Sequence, residues 1–169
     1  IGLIGNFSYI DRDRFQEDDF HRHTFYEGGV GYFYNDDDLV LELFAGYGNG
    51  EGASSNEWLG VEGSSGKYER YFVQPGFGFN KRQFHFAFVP RVSIVDFYEF
   101  GDGALSVPID EDPKVFFEPA FIGKVNTTNN RLYFTFQFGY STKLSNDVYF
   151  DRRDFQIASG MGFRFGGVK

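Results

Sequence analysis

Three histidines are the only imidazoles in this chain, and they set the limits on its chemistry. His21 and His23 stand in the run EDDFHRH with Asp18 and Asp19. Two imidazoles and two carboxylates at that spacing could hold a divalent cation, because alternate residues of an extended strand project to one side. The same composition also describes a solvated polar loop. His85 is flanked by Phe84 and Phe86 in a stretch of alternating character, which makes it a candidate general base or a partner in an interior hydrogen-bond network. Ser93 lies eight residues further on, roughly 26 Å away at the rise of a strand, so the two cannot form a nucleophile and base pair. No catalytic residue is assigned on this basis, and the chain reads as a non-enzyme. Cysteine is absent, which removes disulfides, thiolate metal sites and a thiol nucleophile. No cofactor motif is found.

The elements that carry these residues are strands. In RLYFTFQFGYST, residues 131–142, Leu132, Phe134, Phe136, Phe138 and Tyr140 share one parity, and Thr135, Gln137, Gly139 and Ser141 the other. The pattern recurs over 2–10, 24–34, 39–48, 68–79, 83–97, 114–125, 131–141 and 154–165, giving eight strands. Short connections at Asn35–Asp38, Asn80–Arg82 and Asn126–Asn130 alternate with long ones at 11–23, 49–67, 98–113 and 142–153. Tight turns at one end and long polar loops at the other are the layout of an up-and-down antiparallel transmembrane β-barrel. One domain, 1–169, accounts for the chain.

Volume decides which parity faces inward. The bulky parity includes Leu3, Phe7, Tyr26, Leu41, Leu43, Tyr71, Phe77, Phe86, Phe121 and Phe163, while Gly29, Gly31, Gly46, Gly48, Gly76, Ala87, Ser93 and Gly160 lie opposite. The interior of an eight-stranded barrel is just wide enough for side chains to fill, so the small face belongs inside and the bulky face in lipid. Phe and Tyr number 24 and 11, more than a small soluble core needs, yet no apolar run reaches the roughly 18 residues of a membrane helix. A soluble barrel with inward aromatics would carry Lys, Glu and Thr outside, not glycine. The formal charge of −8 argues against nucleic acid.

Charges of both signs fall on the inward parity: Glu27, Glu42, Glu118, Arg70, Arg91, Lys124 and Arg164, with Gln74 and Gln137. They must be paired, because an isolated buried charge is very costly. The expected arrangement is a network centred on Glu42, Glu118 and Arg91. Pro75, Pro90 and Pro119 interrupt otherwise regular strands and each marks a bulge or a missing ladder bond. In the loop 49–67, Trp58 and Leu59 form an apolar cluster suited to a membrane interface or a partner. The acidic runs at 17–19 and 110–112 could meet divalent cations that bridge lipopolysaccharide, or stay solvated.

The segments GYFYNDDDLVLELFAGYGNGEG, FVQPGFGFNKRQFHFAF, FFEPAF and the terminal GMGFRF resemble a mostly uncharacterised family of small outer-membrane β-barrel proteins, often lipoproteins, widespread in Bacteroidota. The resemblance runs from about residue 26 onward. It implies an eight-stranded barrel in the outer membrane of a Gram-negative envelope and a lipidated cysteine ahead of the first strand, which would have to lie upstream of the residues here. It brings no catalytic residues. Gly160, Phe163 and Phe165 also resemble, in part, the end signal of outer-membrane barrel clients. The expected role is that of a structural or accessory subunit of a larger envelope assembly, touching outer-membrane lipid, lipopolysaccharide and other outer-membrane proteins. A lipid-modifying barrel enzyme and a narrow pore are the alternatives.

Overall fold

A computed structural model describes residues 1–13, 20–36, 38–56, 61–81, 83–101, 112–127, 131–144 and 154–163. Eleven strands make one antiparallel sheet: β1 (Gly2–Asp13), β2 (Phe20–Asn35), β3 (Leu39–Asn56), β4 (Val61–Lys81), β5 (Phe84–Val89), β6 (Val92–Gly101), β7 (Lys114–Phe117), β8 (Ala120–Asn126), β9 (Leu132–Tyr140), β10 (Thr142–Lys143) and β11 (Phe155–Phe163). The eight expected segments are all present. Two of them are interrupted, so that β5 and β6, and β7 and β8, are each one segment in two pieces, and β10 prolongs β9 into the stretch 142–153 expected as a connection. Each segment pairs with its sequence neighbour, and the sheet curls into a half-barrel. β1 and β11 form its two edges, and no pairing joins them among the described residues.

Several strands outrun their expected ends. β3 continues to Asn56 and β4 begins at Val61, so most of the stretch 49–67, expected as a loop, is a paired hairpin. The ladder through Gly50, Gly52 and Gly66 needs only backbone groups. The hydrophobic alternation that reveals a strand disappears there because neither face carries an apolar series, and that is why the sequence pattern ends early.

The bulky parity faces outward. Leu3 is 83% exposed and Phe136 45%, while the buried apolar residues are Phe25, Phe44, Phe72, Val89 and Val95, all on the opposite parity. The inward face is therefore not uniformly small, as the glycine series suggests. Its glycines make room for inward rings. A Cβ on Gly31 would collide with Phe44, one on Gly46 with Phe72, one on Gly50 with Tyr68, and one on Gly48 would reach Phe25 at 3.0 Å. Substituting Gly46 with alanine is expected to lower the unfolding midpoint, because its Cβ would meet both the Gly28 carbonyl and the Phe72 ring. A denaturant titration of the two proteins checks this.

Candidate functional site: the charged interior

Two ion pairs occupy the middle of the inward face. Arg91 Nη1 meets Glu27 Oε1 at 2.7 Å, and Arg91 Nε donates to Gln74 Oε1, also at 2.7 Å. The Glu27 side chain is 1% exposed, so this carboxylate is held in the driest part of the interior. Arg70 pairs with Glu118, and both are bonded to Ser93: Arg70 Nη2 donates to Ser93 Oγ at 2.9 Å, and Ser93 Oγ donates to Glu118 Oε2 at 2.6 Å. The backbones of Arg91 and Glu118 exchange two bonds, at 3.1 and 2.7 Å, which joins the two pairs into one cluster. Rings frame it, with the Arg91 guanidinium 4.4 Å from the Phe72 centroid and that of Arg70 5.5 Å from Phe25.

This cluster draws on four of the seven charged residues read from the sequence, with Glu27 rather than Glu42 as the partner of Arg91. Arg91 continues the row of Phe44 and Gln74. Glu42 is opposite Gly76, two residues nearer the short turns, with its carboxylate against that glycine, whereas Glu27 is opposite Gly48, in the row of Arg70, and from there it meets Arg91. Lys124 lies lower still, opposite His85 and Thr135, with Nζ 4.5 Å from the centroid of the Tyr133 ring. Arg164, Trp58, Leu59, Asp18 and Asp19 lie outside the described residues.

His85 sits at the short-turn end. Its Nδ1 bonds Asn80 Oδ1 at 2.6 Å, and Asn126 Nδ2 donates to its Nε2 at 2.7 Å. Asn80 in turn donates to Asn35 Oδ1 at 3.4 Å, so a chain of amides and one imidazole links the three short connections. Both ring nitrogens are thus engaged by side-chain amides, which makes His85 a member of an interior hydrogen-bond network. Ser93 is fully buried and bonded to a carboxylate and a guanidinium, not to a histidine. That arrangement orders charge and does not activate a nucleophile.

At the opposite end, His23, Phe25 and Tyr68 stack with interplanar angles of 10–19°. His23 Nε2 and Tyr68 Oη are 2.7 Å apart. Burial pushes the Tyr68 hydroxyl up to about 12, so it keeps its proton. Burial first, and the neighbouring His21 second, lower the pKa of His23 from 6.5. His21 and His23 share the inward side, yet among the described residues no three His, Asp or Glu side chains converge to hold a metal.

A pH effect follows from the neutral His23. The unfolded chain binds its proton near pH 6.5 and the folded chain only lower, so the unfolded state holds more protons in between. The stabilisation is complete above about pH 6.5 and is lost as pH falls through the lowered value. Thermal midpoints measured from pH 8 to pH 5 should drop further for wild type than for His23→Phe.

Comparison with family models, curated proteins and solved structures returned no match for this chain.

Proposed function

We propose that the chain forms the wall of an outer-membrane β-barrel with a filled interior, acting as a non-enzymatic structural or accessory subunit of a larger envelope assembly. The observation that carries this reading is the outward apolar band. Over Tyr26–Tyr34, Leu39–Tyr47, Tyr71–Phe79, Leu132–Tyr140 and Phe155–Phe163, no outward position holds a charge. Nine residues cover roughly 26 Å of strand, the scale of the apolar belt of outer-membrane barrels before tilt. Just past the band the outward positions change character to Asp11, Arg22, Glu51, Lys67 and Glu69. Tyr47 and Tyr71 mark the border, each donating to Glu69 at 3.0 Å, with an aromatic body below and a polar tip above.

The finer architecture is a closed eight-stranded barrel, with β1 meeting β11. Both edges run through the apolar band, and lipid does not tolerate unpaired backbone groups there. The contacts of the protein are then its lipid-facing wall and its long-loop rim, with lipopolysaccharide and neighbouring outer-membrane proteins as partners. The paired charges inside serve as a plug, which favours a subunit role over a pore.

Membrane fractionation tests the reading. The folded protein should require detergent for extraction, migrate differently before and after boiling, and carry no steady single-channel current in planar bilayers. Folded monomer in the soluble fraction would overturn the membrane assignment, and a steady current would overturn the plug.

A further inference from the structure

Pro75, Pro90 and Pro119 are 15 and 29 residues apart in sequence, but the sheet sets them side by side. The register that pairs Val73 with Val92 and Phe77 with Phe88 puts Pro75 opposite Pro90. The register that pairs Val92 with Phe117 and Phe88 with Phe121 puts Pro90 opposite Pro119. Each register is the same on both sides of the break, so these prolines mark missing bonds and not bulges.

The direction of the backbone groups makes the defect specific. Arg91 and Glu118 exchange bonds with each other, so the neighbouring Pro90 points its backbone toward β4 and Pro119 points toward β9. Tyr140 N donates to the Pro119 carbonyl at 3.0 Å, as that alternation requires. Pro75 and Pro90 therefore occupy a position at which two ordinary residues would exchange two N–H···O bonds, and neither has an N–H. Pro119 cannot return the bond from Tyr140, which removes a third. One row of the sheet thus lacks ladder bonds where β4 meets the β5–β6 segment and where the β7–β8 segment meets β9, while the junction between these two keeps the Arg91–Glu118 exchange.

On the inward side of this gap, the next residue of each strand belongs to the charged cluster. Gln74 and Arg91 are bonded across the junction that Pro75 and Pro90 leave open, and Arg70, Ser93 and Glu118 tie β4 to β6 and to the residue after β7. We infer that the proline row is a hinge line along which β4 and the β5–β6 segment separate, and that the bond between Gln74 and Arg91 is its latch. The interior cluster then replaces backbone bonds as well as pairing charges. The junction of β4 with the β5–β6 segment then opens before the other paired junctions of the sheet do.

Amide hydrogen exchange on the folded protein, in whichever medium keeps it folded, reads this directly. The amides of Val73, Phe77, Phe88 and Val92 flank the gap and should exchange at least about tenfold faster than those of Val30, Tyr32, Leu43 and Ala45 on the unbroken β2–β3 junction. Restoring both donors with the double variant Pro75→Ala, Pro90→Ala should abolish that difference. Gln74→Met, which keeps the volume and removes the latch, should accelerate the flanking amides in the native background and leave them unchanged in the alanine background. Equal exchange at the two junctions in the native protein would overturn the hinge. An equal effect of Gln74→Met in both backgrounds would overturn the latch.

Discussion

Replacing Glu118 with alanine should cost about 3–5 kcal/mol of folding stability, because it strands a largely buried guanidinium. Arg70 is 17% exposed at its side chain, and Glu118 is its only ion-pair partner among the described residues. The loss exceeds one hydrogen bond for two reasons. Arg70 cannot discharge itself by losing a proton, and the Ser93 hydroxyl, fully buried, loses its acceptor at the same time. The contrast is with Arg22 and Asp11, which meet at 3.2 Å with side chains 60% and 49% exposed. Asp11→Ala should change stability by no more than about 1 kcal/mol. Equilibrium unfolding in urea of the three proteins measures both. A Glu118→Ala protein as stable as wild type would mean that water already enters the interior.

The second large effect belongs to the outer wall. Phe136 lies mid-strand in β9, outward and 45% exposed, with its ring over Gly123 and 6.2 Å from the ring of Phe86. If lipid covers this face, Phe136→Arg should cost about 2–4 kcal/mol, the depth-dependent penalty for a cation at the bilayer midplane. Arginine at an outward position near the border, such as Tyr47, should cost only about 0–1 kcal/mol. The gradient is the informative quantity. In water the two substitutions would differ little, since each trades one exposed ring for an exposed charge. Unfolding from liposomes gives the numbers, and equal small costs would place the wall in solvent.

Much of this protein is legible without its structure, and the reason is local. Period two is a property of the extended backbone, so Leu132 to Tyr140 declare both a strand and its two faces within nine residues. The short connection at Asn35–Asp38 is equally local, closed by bonds between Asp36 and Leu39 at 2.8 and 3.3 Å. Volume counting then assigns the outward face, because rings in such number have no other place. Only the inward rings escape that count. Phe25, Phe44 and Phe72 share the parity of the glycines, and nothing in their own segments tells that Gly48, Gly31 and Gly46 make room for them.

What the tertiary structure decides is whatever depends on register between strands far apart in sequence. The sequence by itself determines that Arg91 faces inward and must find a carboxylate. That it finds Glu27, 64 residues away, and not Glu42 follows from the stagger of β2, β3 and β4. A shift of two residues keeps every side chain on its face, so the hydrophobic pattern is blind to it. The alignment of Pro75, Pro90 and Pro119 has the same origin. Each proline fixes its own φ and removes its own donor locally. Only the combined stagger of three neighbouring segments turns three separate defects into one line across the wall.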